Sequence, residues 1–131
     1  MSILVKGKVA SGVGRGSWFM GLDWVKQQIR EKLGFEAYKG TLNLKLDDEV
    51  SRTVQSFTKP RLGISIEPVD NTFASGKAFK IRIGGKVEGA LVIPLIPNYP
   101  LNQMEIIAPI NLREAFGLQD GDEVTVEIFK A

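Results

Sequence analysis

Residues 41–46, Thr-Leu-Asn-Leu-Lys-Leu, alternate without a break: Leu42, Leu44 and Leu46 fall on one face and Thr41, Asn43 and Lys45 on the other. A period of two is the mark of a half-buried strand. Related patterns predict strands over residues 3–10, 62–69, 78–83, 87–93 and 104–108, and a last one carrying Val124, Val126 and Ile128. Gly84-Gly85 joins two of these as a hairpin, and Asp120-Gly121 forms the turn before the last. The period lengthens to four at Val25, Ile29 and Leu33. That predicts a helix capped by Asp23, with Gly34 past its end and Phe35 as the following apolar contact. Asn111 and Glu114 read as a capping box for a second, short helix to about Phe116. Residues 47–60 are polar and carry no assignable period, and Pro94, Pro97 and Pro100 make 94–103 a loop. Many short strands, two helices and no regular strand–helix alternation predict a mainly β fold, a closed barrel with two short inserted helices.

Composition narrows the chemistry more than the fold. The 131 residues are expected to form a single domain, 1–131, with an ordinary 44% apolar and 24% charged content. The formal charge of +2 does not suggest attachment to nucleic acid by phosphate attraction. No apolar run has the length of a membrane span, and Met-Ser-Ile-Leu-Val-Lys is no signal peptide, so a cytoplasmic protein is expected. There is no cysteine and no histidine. Thiolate nucleophiles, cysteine zinc sites and the commonest general base are therefore excluded. What remains is carboxylates, hydroxyls, cations, backbone amides and a hard metal ion held by oxygen, a set suited to phosphoryl transfer.

Three segments carry candidate chemistry. Ser-Gly-Val-Gly-Arg-Gly-Ser-Trp-Phe, residues 11–19, has glycines at 12, 14 and 16. Such a segment can turn successive N–H groups towards an anion, and equally can be a plain hairpin. It is neither a dinucleotide fingerprint nor a Walker loop. The polar face Thr41, Asn43 and Lys45 is either a solvated strand face or a pair of neutral oxygens for Mg²⁺ with a phosphate-neutralising lysine beside them. Glu105, at the start of the strand Met-Glu-Ile-Ile-Ala, is either an exposed strand-end acid or a group that holds a substrate proton.

Together these segments resemble the CTP-dependent riboflavin kinases of archaea. The resemblance rests on Gly-Val-Gly-Arg-Gly-Ser-Trp-Phe, on Leu-Gly-Phe-Glu-Ala-Tyr-Lys-Gly-Thr-Leu-Asn-Leu-Lys-Leu at 33–46, on Glu-Ile-Ile-Ala-Pro-Ile-Asn-Leu-Arg-Glu at 105–114 and on Leu-Gln-Asp-Gly-Asp-Glu-Val at 118–124. It implies a six-stranded cradle-loop barrel of the RIFT type. It also implies phosphorylation of riboflavin to FMN with CTP as donor and Mg²⁺ as cofactor. By position, Val13, Gly14, Arg15, Gly16, Ser17 and Trp18 would hold the nucleotide phosphates, and Thr41 and Asn43 the metal. Ile110, Asn111, Leu112 and Arg113 would contact the nucleotide, and Glu105 the flavin. Members of that family tend to carry a flavin-touching hydroxyl residue where this chain has Pro97, which offers neither hydroxyl nor N–H. The implied partners are riboflavin and CTP; no nucleic acid, no membrane and a monomeric chain are expected.

Two rival readings come from other classes. Ala-Pro-Ile-Asn-Leu-Arg-Glu-Ala-Phe-Gly-Leu-Gln-Asp-Gly-Asp-Glu-Val also looks like the repeat of swapped-hairpin DNA-binding transcriptional regulators. Those are short, dimeric and basic on the DNA-facing side, unlike this nearly neutral chain. The other rival is a flavin-binding protein without catalysis.

Overall fold

A computed structural model describes residues 1–11, 21–68 and 75–130. Its elements in chain order are β1 (Ser2–Ala10), α1 (Asp23–Leu33), β2 (Leu42–Lys45), α2 (Asp48–Phe57), a 3-10 turn at Pro60–Leu62, β3 (Ile64–Ile66), β4 (Gly76–Ile83), β5 (Val87–Pro94), β6 (Gln103–Ile107), α3 (Leu112–Phe116) and β7 (Glu123–Phe129). All strand pairings are antiparallel, in the order β3-β4-β5-β6-β2-β1-β7. β4 also pairs back onto β7, which closes six strands into a barrel. It does so along its length: residues 76–78 pair with β3 and residues 81–83 with β7. Closure leaves the six barrel strands without a free edge.

The mainly β closed barrel expected from the alternation, with the six strands that the resemblance implies, is the observed fold. Among the described residues three α-helices rather than two decorate it. The additional one, α2, lies in the polar stretch 47–60, and its signal was present in the sequence. Asp47 accepts a hydrogen bond from the Val50 N–H at 2.8 Å as N-cap, while Val50, Val54 and Phe57 recur at helical spacing and pack on the barrel core. Its apolar stripe is narrow, so polarity masked the period. α1 differs in a smaller way: Leu22 is its N-cap and makes no side-chain cap, and Asp23 is the first helical residue, where its charge favours the positive end of the helix. Gly34 takes the expected left-handed conformation at φ 82°, its N–H shared between the Ile29 and Arg30 carbonyls. The strand expected over 62–69 shortens to Ile64–Ile66 because the chain first makes a 3-10 turn.

Alternation sorts the side chains into two cores. Val5, Val9, Leu42, Leu44, Phe79, Ile81, Leu91, Met104, Ile106, Val126 and Ile128 fill the barrel interior. Trp24, Val25 and Ile29 of α1 pack against the outer wall, onto Ala78, Ala90, Val92, Ile107 and Ile66. The outer face of β5 and β6 is therefore buried too, which is why these strands read as apolar runs rather than as alternation. Among the described residues no helix is long and apolar enough to cross a membrane.

Candidate active site

The register of the sheet gathers the polar candidates into one row. Ala10 of β1 lies opposite Asn43 of β2, Asn43 opposite Glu105 of β6, and Glu105 opposite Val92 of β5. Cross-strand partners share a face. Leu42 and Leu44 point into the barrel, so this row lies on its outer wall. β1 thus delivers the chain at Ala10 and Ser11 beside Asn43, just before the glycine-rich segment. The next row on that face is Lys8, Lys45 and Gln103.

Glu105 is not the exposed strand-end acid of the blander reading: it is 1% exposed. A buried carboxylate is costly unless its oxygens are hydrogen-bonded. Among the described residues, Oε1 accepts from the Tyr99 hydroxyl at 2.6 Å and from Gln103 Nε2 at 3.3 Å, and Oε2 accepts from the Thr41 hydroxyl at 3.2 Å. Burial, reinforced by the hydrogen bond to Glu105 and its charge, holds the Tyr99 phenol well above its usual range, so Tyr99 remains a donor. Tyr99 was invisible to sequence reasoning because it sits in a proline-rich loop with no periodic pattern. Pro97, in the same loop, is exposed.

Thr41 and Asn43 stand beside this carboxylate. Asn43 Nδ2 approaches Thr41 Oγ1 at 3.5 Å, while Asn43 Oδ1 is buried without a hydrogen-bond partner among the described residues. A buried carbonyl oxygen left unsatisfied costs about 1–3 kcal/mol, and such orphans concentrate where a ligand or ion completes them. The donor set is all oxygen and includes no cluster of three carboxylates among the described residues. It is the kind of set a hard cation takes when phosphates and water complete its shell.

A cleft of about 180 Å³ begins at this point. It is lined by Tyr38, Lys39, Gly40, Thr41 and Leu42 on one side and by Ile110, Asn111, Leu112 and Arg113 on the other. The N–H of Tyr38 bonds the Ala108 carbonyl at 2.7 Å, and Asn111 Nδ2 reaches the Tyr38 hydroxyl at 3.3 Å, which ties the two walls together. Asn111 Oδ1 caps α3 through the Glu114 N–H at 3.2 Å, so the cap half of the predicted box forms. Arg113 is held by Asp120 at 2.7 Å and approaches the Ala10 carbonyl at 3.5 Å; Ser11 donates to the other Asp120 oxygen at 3.0 Å. The Arg113 and Ser11 hydrogen bonds lower the Asp120 pKa. One carboxylate thus joins the base of the glycine-rich segment to the far wall of the cleft.

The structure therefore brings Thr41, Asn43 and Glu105 into one cluster and sets Thr41 on the rim of the cleft formed by residues 110–113. Lys45 is exposed two positions along β2, with Lys8 as its cross-strand neighbour. Val13, Gly14, Arg15, Gly16, Ser17 and Trp18 lie outside the described residues. Lys39, which lines the cleft, Tyr99 and Gln103, which hold Glu105, and Asp120, which holds Arg113, are further candidates that the sequence pattern did not single out. Asp120 was read only as a turn residue, and the Asp-Gly pair masked its second task.

A family model described as CTP-dep_RFKase, domain of unknown function DUF120, matches residues 9–128. The chain belongs to the CTP-dependent riboflavin kinase family. Among curated relatives named riboflavin kinase, that of Archaeoglobus fulgidus is 46% identical over 130 residues, covering 97% of this chain and 55% of the relative. The one from Pyrobaculum arsenaticum is 40% identical, covering 97% and 61%. The one from Ignicoccus hospitalis is 40% identical over 129 residues, covering 97% and 72%. The chain thus spans little more than half the length of the first of these relatives. The family match takes in the whole row Ala10–Asn43–Glu105–Val92 and both walls of the cleft.

Proposed function

We propose that this chain transfers the γ-phosphate of CTP to the 5′-hydroxyl of riboflavin, giving FMN and CDP. The observation that carries the reading is the unpartnered Asn43 Oδ1 beside Thr41 and the buried Glu105, on the row where β1 leads into the glycine-rich segment. The names of the relatives favour phosphotransfer over DNA binding.

In the proposed reaction the acceptor oxygen bonds to the γ-phosphorus as the bond to the β–γ bridging oxygen breaks. The acceptor's proton leaves to water, and Glu105 orients the hydroxyl. A loose transition state asks for positioning and charge stabilisation more than for a strong base, which suits a chain without histidine. Thr41 and Asn43 fit Mg²⁺ through their neutral oxygens, one of them buried and unpartnered. Bound there, Mg²⁺ supplies neutralisation of the phosphate charge. By donating its proton to Glu105, Thr41 keeps its lone pairs turned away from the carboxylate.

Segment 13–18 follows Ser11 after Gly12 and is assigned to the phosphates on its glycine pattern. Lys8 and Lys45, opposite one another on adjacent strands, form a like-charge pair that a polyphosphate would relieve. Residues 110–113 are assigned to the nucleotide and Pro97 to the flavin side. The enzyme is proposed to act as a monomer, in the cytoplasm and without nucleic acid.

The test is incubation with riboflavin, Mg²⁺ and each of CTP, ATP, GTP and UTP in turn. FMN is expected with CTP; FMN from none of the four sinks the kinase reading, and a preference for ATP sinks the donor assignment. A narrower test concerns Asp120. Because its folded pKa is depressed, its contribution is complete above the ordinary carboxylate range and is lost as pH falls through the depressed value. At neutral pH, Asp120→Asn is expected to raise the KM for CTP about threefold, as befits an exposed pair, with the KM for riboflavin unchanged. An equal rise in both would remove Asp120 from the nucleotide side.

A further inference from the structure

The connection between β5 and β6, residues 95–102, is fastened at three points and brings the Tyr99 hydroxyl to Glu105. The Leu95 N–H bonds the Ser75 carbonyl at 2.9 Å, the Leu101 carbonyl accepts from the Ser51 hydroxyl at 2.6 Å, and the Asn102 carbonyl accepts from the Leu46 N–H at 2.8 Å. Within it, Asn98 has φ 60°, the only non-glycine in the left-handed region among the described residues, and prolines stand at 97 and 100. Asparagine tolerates that conformation better than most residues, and proline removes backbone freedom on either side. The loop is thereby stiffened around Tyr99, whose hydroxyl meets Glu105 Oε1 at 2.6 Å. Gln103 meets the same oxygen from β6 itself at 3.3 Å. Oε2 faces the other way, to Thr41.

Two donors on one carboxylate oxygen do more than satisfy it. They set the torsion of the carboxyl group and so decide which oxygen is offered to a neighbour. The ordinary satisfaction of a buried acid would be met by any donor geometry. Here the shorter bond comes from a phenol anchored in a separate, pinned loop, and the two donors share Oε1, leaving Oε2 to the side where Thr41 and the orphaned Asn43 oxygen lie.

We propose that Tyr99, backed by Gln103, is a positioning residue for the phosphate acceptor: it locks the Glu105 carboxylate so that Oε2 is the oxygen that receives the acceptor hydroxyl. This rests on the proposed reading of Glu105 as the acceptor-side carboxylate.

The experiment is a double-mutant cycle of Tyr99→Phe and Glu105→Gln, with the KM for riboflavin and for CTP measured separately and riboflavin affinity read by quenching of flavin fluorescence. Tyr99→Phe keeps the ring and removes only the hydroxyl. It is expected to raise the riboflavin KM about tenfold, the scale of losing a hydrogen bond to a charged group. The CTP KM should stay within about twofold. In the Glu105→Gln background it should add less than about twofold. Equal changes in both KM values, or an effect that persists in that background, overturn the proposal. If the parent makes no FMN with any nucleotide, the kinase reading fails by itself. The positioning role is then read from riboflavin affinity, and an affinity unchanged by Tyr99→Phe overturns it. Should Tyr99→Phe not fold, Gln103→Met removes the second donor and is expected to raise the riboflavin KM severalfold with the CTP KM unchanged; no change overturns the proposal.

Discussion

Asn43→Ala is expected to lower FMN formation on the order of a hundredfold at limiting Mg²⁺ while leaving thermal stability within about 1 kcal/mol of the parent. The two halves of that expectation come from the same atom. Among the described residues Oδ1 has no hydrogen-bond partner, and the amide's other end makes only a 3.5 Å approach to Thr41. Deleting the amide thus removes one buried unsatisfied oxygen and one marginal contact, two small terms of opposite sign. A residue kept for stability would behave the other way round. In the proposed reaction the same deletion removes a ligand oxygen where negative charge must be neutralised. Asn43→Asp keeps an oxygen at that position and is expected to recover part of the activity as Mg²⁺ is raised. The measurement is initial rate against Mg²⁺ concentration, paired with a melting curve. Full activity of Asn43→Ala at limiting Mg²⁺ would remove the metal assignment.

The largest effect on stability is expected at Gly89. A Cβ there would lie 2.2 Å from the Ile107 carbonyl oxygen and 3.3 Å from the Ala108 Cβ. The first contact is to backbone, which cannot rotate away, so β5 and β6 must separate locally. Overpacking of this kind costs about 3 kcal/mol, enough to lower the melting temperature by roughly 10 °C in a domain of this size. The neighbouring register Ala90–Ile107 and Val92–Glu105 belongs to the same strand pair, so catalysis should fall along with stability. Gly85→Ala is the control. Gly85 has φ 70° but nothing within 4 Å of an added Cβ, so only backbone strain of about 1 kcal/mol is at stake. Urea unfolding of the two variants separates the cases, and Gly89→Ala costing no more than Gly85→Ala would show that the strands relax apart freely.

These two positions also illustrate how unevenly the sequence exposes its own structure. Gly34 is legible because a helix end followed by a glycine has one common geometry, and it is found there at φ 82°. Gly89 is not legible: nothing around it in Val-Glu-Gly-Ala-Leu-Val indicates that a carbonyl from another strand presses on its Cα. Likewise Glu105 in isolation is an acid at a strand end. It is buried between its strand neighbours Asn43 and Val92, and its hydrogen-bond partners include residues 41, 99 and 103.

By itself, then, the sequence determined which residues alternate, which faces they share and where the chain must turn. It also determined that no histidine or cysteine of these 131 residues takes part in any chemistry, and the resemblance named the family. Only the tertiary structure decided neighbours. A period of two says that Thr41, Asn43 and Lys45 share a face, yet not that β2 pairs with β6, sixty residues on, rather than with the next strand in sequence. That choice is made by closure of the barrel, where every strand must find two partners at once and a shift of one residue would turn a buried face outward. The row Ala10–Asn43–Glu105–Val92 is a consequence of that closure, and so is the loop that brings Tyr99 to the carboxylate.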